Sequence, residues 1–285
     1  MEVIITNYSP TVRRRRLSLK LAELRQRAGL TATEAAKRLE WDPAKVARME
    51  RNQWKRPDLH DIRLLCDLYG ATEDEREALL KLARESRQRG WWADYSDVFG
   101  SAYPEFEAGA SFVRTYQALL VPGLLQTPAY TAAVLRGGDV LDEAGVERRV
   151  QARQTRQEIL DREDPPTLVA VIDEAALLRM VGGPQVMREQ IRHLIEMAAR
   201  ENVTIQVLAL DTGAHPAQTT GGFVILDFPE DPSLVYLETC TDNLWLERQP
   251  EIQHYTLVFS KLQTLALSPD ASVQHMAIIA DRIDT

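Results

Sequence analysis

Leu30-Thr31-Ala32-Thr33-Glu34-Ala35-Ala36-Lys37-Arg38-Leu39-Glu40-Trp41-Asp42-Pro43-Ala44-Lys45-Val46-Ala47-Arg48-Met49-Glu50 reads as two short helices joined by a tight turn. Thr31 with Glu34 three residues later is a capping-box pattern. Asp42-Pro43 supplies a capping carboxylate and then a proline at the first helical position. Ala35, Ala36 and Leu39 give the first helix an apolar face, and Val46 and Met49 give one to the second. Two helices this short bury little by themselves, so they require neighbours. Upstream, Leu19, Leu21, Leu24 and Ala28 recur at near-helical spacing, and Gly29 ends the run. Downstream, Asp58 opens a helix with Ile62, Leu65, Cys66 and Tyr69 inward and Gly70 as its stop. Thr72 with Glu75 starts a fifth helix that runs to about residue 87.

The charge distribution says what such a bundle is for. The whole chain of 285 residues carries a net −8, which by itself argues against nucleic acid. Residues 1–90, however, hold 20 basic and 14 acidic side chains, against 14 and 28 in 91–285. Residues 13–56 alone hold 14 basic and 5 acidic. A basic segment on an acidic body fits a polyanion at one end only. The second helix of the pair suits the major groove, which is about 12 Å wide. Val46 and Met49 face inward there, leaving Ala44, Lys45 and Arg48 as candidates for reading base edges. Gln53, Trp54, Lys55 and Arg56 follow as a loop suited to phosphates, with Trp54 either covering the backbone or packing on its own loop. Thr31 and Thr33, at the start of the first helix, are further phosphate candidates. Arg13 and Arg14, within the basic run 13–16, read either as an arm reaching the DNA or as a basic tail.

The stretch resembles the lambda-repressor-like, Xre-type helix-turn-helix family, through Leu24-Arg25, Gly29-Leu30-Thr31, Ala35-Ala36 with Leu39, and 46–50. The resemblance implies an Arg25–Glu50 ion pair bracing the first helix against the third, and Asn52 stands where the family has asparagine or glycine. Three positions depart from the pattern. Ala32 replaces a glutamine that contacts DNA, Glu40 replaces the turn glycine, and Asp42 replaces serine. A left-handed Glu40 would be strained by roughly 1 kcal/mol.

Beyond residue 90 the chain changes character. Residues 91–116 contain eight of its nineteen aromatic side chains, read either as an inter-domain core or as a ligand or partner surface. Helices are expected over 128–135, 144–162, 184–200, 249–267 and 272–281. Strands are expected over 168–172, 203–208, 223–228 and 234–238. The expected fold is therefore mainly α with a smaller α+β part: a basic arm (1–16), a five-helix domain (17–88), and a helical and mixed-sheet domain (89–285) for regulation and dimerisation. Trp91-Trp92, Val121-Pro122-Gly123-Leu124-Leu125-Gln126-Thr127, 172–177, and Gly222-Phe223 through Asp227-Phe228 resemble a C-terminal domain of unknown function found behind this helix-turn-helix in many actinobacterial regulators. That resemblance implies regulators of development or secondary metabolism, often acting with a small partner protein.

No catalytic motif, cofactor motif or metal-ligand spacing stands out. Cys66 and Cys240 are far apart and form no CxxC pair, which points away from a zinc site or disulfide framework. Asp173-Glu174 reads either as a catalytic pair with His215 or as acids favoured by a helix N-terminus. The loop 213–222, with His215, Gln218, Thr219 and Thr220, is either a ligand or partner loop or plain surface. With no signal peptide and no run of about 20 apolar residues, the expected location is the cytoplasm. The expected function is a homodimeric, non-enzymatic transcriptional regulator binding double-stranded DNA, needing no cofactor. The competing reading is an antitoxin-like protein that silences a small partner and autoregulates through DNA.

Overall fold

The computed structural model describes residues 9–54, 56–138, 141–239 and 242–283. The chain divides into two compact units that meet in sequence at residues 93 and 94.

The first unit is five helices: α1 (Pro10–Arg27), α2 (Ala32–Arg38), α3 (Pro43–Glu50), α4 (Leu59–Tyr69) and α5 (Glu73–Glu85). Each begins on a side-chain cap, from Ser9, Thr31, Asp42, Asp58 and Thr72 in turn. The caps of α2 and α5 are full capping boxes with Glu34 and Glu75, as their spacing predicts. Four helices end on a left-handed residue: Gly29, Glu40, Asn52 and Gly70. After each, two backbone N–H groups fold back onto the last turn, as in Glu40 N to Lys37 O (3.2 Å) and Trp41 N to Ala36 O (2.9 Å). Leu17, Leu21, Ala35, Ala36, Val46, Ile62, Leu65 and Cys66 form the shared core, all essentially without exposure.

The arm expected over 1–16 is corrected from residue 10 onward, while residues 1–8 lie outside the described residues. Ser9 Oγ accepts from Val12 N, and Pro10 sits in the first turn, so helix starts there and takes in 13–16. Val12, Leu17, Leu21 and Leu24 give this helix a buried stripe, and even Arg15 is buried.

The second unit is built on one six-stranded sheet: β1 (Phe112–Gln117), β2 (Thr167–Asp173), β3 (Val203–Leu208), β4 (Phe223–Asp227), β5 (Leu234–Glu238) and β6 (Asn243–Leu246). Their order is β3-β2-β1-β4-β5-β6. The first three pair parallel, and β4, β5 and β6 continue antiparallel. Among the described residues seven α-helices accompany it: α6 (Tyr103–Gly109), α7 (Pro128–Gly138), α8 (Glu143–Gln157), α9 (Glu174–Leu178), α10 (Pro184–Ala198), α11 (Gln249–Leu265) and α12 (Pro269–Arg282). Tyr116, Val171, Phe223, Ile225 and Val235 pack one sheet face against Ile252, Phe259 and Leu262 of α11. Long parallel connections explain the helices: a parallel neighbour needs a crossover, and helices supply it.

Two strands, β1 and β6, escape the periodicity. β1 is central yet carries Arg114, Thr115 and Gln117, whose polarity hides it among the aromatic residues. Arg114 is tolerated because it forms a two-pronged pair with Asp227 on β4, at 3.0 and 2.9 Å. The aromatic stretch is likewise not one cluster: Tyr103 and Phe106 stack with Tyr236 and Trp245, whereas Tyr116 packs against Phe223 on the α11 side.

Candidate nucleic-acid interface

Helix α3 is oriented by what it buries. Val46 and Met49 are 1% and 3% exposed, inside the helical core. On the first turn Ala44 is exposed, and one and two turns further Arg48 and Arg51 follow on the same face. Arg51, which reasoning from the sequence left out of the reading face, is the i+7 partner of Ala44. It is the C-cap of α3, and both its backbone N–H and its Nε donate to Ala47 O at 3.1 Å.

The brace implied by the helix-turn-helix resemblance is present. Arg25 Nε and Nη2 donate to the two Glu50 oxygens at 2.7 and 2.8 Å, and Nη1 donates to Leu30 O at 2.6 Å. The Glu50 hydrogen bonds hold Arg25 above its ordinary pKa. One guanidinium thereby ties α1, the turn before α2, and the end of α3. The turn does keep a left-handed residue at Glu40, with φ 56°, and Asn52 adopts the same φ.

Two candidate readers carry local counter-ions. Lys45 Nζ lies 2.8 Å from Asp61 Oδ2 and 3.8 Å from the centre of the Trp41 ring. Arg48 Nη2 is 3.3 Å from Asp42 Oδ1, but both side chains are at least half exposed. The Asp42 carboxylate also accepts from Ala44 N, so its first duty is the cap. Arg48 is the freer of the two.

The loop behind α3 divides by role. Gln53 and Arg56 are exposed. Trp54 is half-buried, packs on the helical core, and donates from Nε1 to Ser18 Oγ at 3.0 Å. Lys55 lies outside the described residues. Thr33 is exposed on the first turn of α2, while Thr31 is engaged in its capping box. Arg13 and Arg14 leave the reading of a free arm behind: Arg13 Nε is 3.6 Å from Glu85, and Arg14 Nε donates to Asn52 Oδ1 at 3.1 Å.

The second unit's sequence candidates come only partly together. Asp173 Oδ1 accepts from Ala175 N at 3.0 Å, capping α9, while Oδ2 accepts from Tyr116 Oη at 3.2 Å. His215 Nε2 is 3.9 Å from the same Oδ2. Glu174 turns elsewhere, with Oε1 2.8 Å from His275 Nε2 and Oε2 accepting from Leu210 N. The predicted trio is thus split, and Asp173 has the helix-capping role that its position allowed. His215 is tucked in, whereas Gln218, Thr219 and Thr220 are exposed, so the loop does not gather them on one site. Among the described residues no group of three side chains is placed to hold a metal ion, and no helix is long and apolar enough to cross a membrane.

Residues 101–277 match the family described as Domain of unknown function (DUF5753). The chain belongs to this family. Residues 16–79, ahead of the DUF5753 region, match a model described as Helix-turn-helix domain. Most of α1, all of α2, α3 and α4, and the first part of α5 fall inside that match, so the first unit carries a helix-turn-helix DNA-binding domain. Neither the curated proteins nor the solved structures show a significant match to the chain.

Proposed function

We propose that the chain is a cytoplasmic transcriptional regulator that acts as a homodimer, places α3 in the major groove, and receives a ligand or partner signal through its DUF5753 region. The observation that carries this reading is the braced α3. Its apolar face is buried, its opposite face presents Ala44, Arg48 and Arg51, and the exposed Gln53 and Arg56 follow on the loop. Base contacts come from that face, and orientation comes from Thr33, Gln53 and Arg56 on phosphates. The candidate carboxylates Asp173 and Glu174 are engaged with a cap and with neighbours, which favours a regulatory over a catalytic role.

Selection from a random duplex library followed by footprinting tests the reading. A dimer of this class protects two half-sites about 34–36 Å apart. Arg48→Ala should then cost about 1–3 kcal/mol on the selected site and relax its specificity at one position. Failure to enrich any duplex, or wild-type affinity in Arg48→Ala, overturns it.

A further inference from the structure

The second unit contains a partly open cleft of about 640 Å³ between β1 and α8. Its volume is that of a small-molecule site. Val113, Thr115 and Gln117 line it from β1, and Arg149, Arg153 and Arg156 line it from one face of α8. Part of its wall is the turn 121–126, the most distinctive string of the second unit.

That turn is pinned from three sides. Gln157 Nε2 donates to Gly123 O at 2.9 Å and Gln126 O at 2.8 Å. Gln190, fully buried, donates to Leu125 O and accepts from Thr127 N, each at 2.7 Å. Tyr130 Oη accepts from Val121 N at 3.3 Å. A Cβ at Gly123 would stand 3.3 Å from Arg156 Nη1, so glycine lets the turn close onto the arginine. The wall is therefore preorganised, which is what a binding site needs.

The charges of the cleft do not balance locally. Glu107, 1% exposed, accepts from Tyr103 Oη at 2.7 Å and forms a two-pronged pair with Arg156, so those two charges answer each other. Although Glu238 also lines the cleft, Arg153 has no such two-pronged carboxylate partner among the described residues. Its bond within the described residues goes from Nη1 to Gln126 Oε1, an uncharged acceptor that also takes Thr131 Oγ1 at 3.1 Å. Loss of water, with Arg156 beside it, pushes the Arg153 pKa down to about 10, against weaker opposition from Glu238 and Glu107. A guanidinium has five N–H donors in a planar fork matched to carboxylate or phosphate. Here Arg153 lines the cleft together with Phe99, Leu120 and Val134.

We propose that this cleft binds a small organic anion, whose carboxylate or phosphate head pairs with Arg153 while its apolar body lies against Phe99, Leu120 and Val134. Only the consequence of binding rests on the regulator reading; binding itself does not. The test is calorimetry on the full chain without DNA, using 2-naphthoate, 2-naphthyl phosphate and the uncharged 2-naphthamide. Either anion should bind at least about tenfold more tightly than the amide, a difference of about 1.4 kcal/mol, and the tighter of the two identifies the head group. Arg153→Gln should erase that preference. Arg153→Lys keeps the charge without the fork and should retain only part of it, which decides the matter if Arg153→Gln does not fold. Equal affinity for the amide, an undiminished preference in Arg153→Gln and Arg153→Lys, or no binding of any probe overturns the proposal. Anion binding by a chain that ignores duplex DNA removes the regulator reading alone. Duplex binding without anion binding removes only this inference.

Discussion

Glu40 and Asn52 share φ 56°, but the two side chains tolerate it unequally. Asparagine visits the left-handed region readily, whereas a glutamate Cβ there meets the backbone at a cost of about 1–2 kcal/mol. Glu40 is exposed, and its backbone N–H is already used to close α2, so the side chain gains nothing visible in return. Glu40→Gly should accordingly raise unfolding stability by about 1 kcal/mol, allowing for the extra freedom glycine has when unfolded. The urea midpoint measures it, and an unchanged or lower midpoint contradicts the strain. A second residue-level prediction concerns the reading helix. Asp61 holds Lys45 at 2.8 Å, so a phosphate or base must compete with a carboxylate for that ammonium. Asp61→Asn should tighten duplex binding and steepen its log-log salt dependence by about one ion. The salt slope is the sharper readout, because a merely looser helix would weaken binding at every salt concentration.

Between elements, α1 and α5 are joined by an exposed pair that also serves a cap. Arg27 Nη1 and Nη2 donate to the two Glu75 oxygens at 2.6 and 2.7 Å, and Glu75 accepts from Thr72 N at 2.9 Å. Arg27 first, and the Thr72 amide second, hold the Glu75 carboxyl down to about 2 from its ordinary 4.5. Because the folded pKa is the lower one, this contribution is present above about pH 4.5 and is lost as pH falls through 2. Full exposure makes it small and salt-sensitive. Glu75→Gln keeps an acceptor for the cap and removes the charge. Its urea midpoint should fall less than that of the wild type between pH 4.5 and 2, and 1 M salt should narrow the difference; parallel acid limbs would count against the pair. Helices α2 to α5 were legible in the sequence because a capping residue at each start agrees with the apolar spacing behind it; the start of α1 was not, because four consecutive arginines hide a helix that begins at Pro10. Arg25–Glu50 was legible through resemblance, since nothing local marks a pair 25 residues apart. β1 was not, because a central strand with Arg114 and Gln117 breaks apolar alternation, and its ion pair to Asp227 lies 113 residues away. Trp54 was read two ways because a ring on a basic loop has the same sequence whether it covers DNA or packs on its own loop; here its Nε1 donates to Ser18. The Arg153 cleft was illegible for a related reason: α8 shows three arginines at helical spacing, and only the fold reveals that Glu107 pairs with Arg156 whereas Arg153 donates to the uncharged Gln126.

At the scale of the whole chain, the opposed charges of its two parts set how strongly it holds DNA of arbitrary sequence. Residues 1–90 carry an excess of six basic side chains and residues 91–285 an excess of fourteen acidic ones. Contacts to phosphate depend on the first set and release counter-ions, which makes them salt-dependent. The second set repels the same phosphates at a distance, and that repulsion is screened within about 10 Å at 0.1 M salt and about 3 Å at 1 M. The two effects respond to salt in opposite senses. Residues 8–93 alone, a unit with its own buried core and a capped start to every helix, should therefore bind a non-specific duplex more tightly than the full chain at low salt. The gap should close as salt rises, because screening removes the repulsion while both proteins lose their phosphate contacts. Fluorescence anisotropy from 0.02 to 0.3 M salt measures both slopes. The fragment should show the steeper fall. Equal affinities at 0.02 M would mean that the acidic part lies too far from the duplex to be felt, and a weaker fragment would mean that 94–285 contributes to holding DNA.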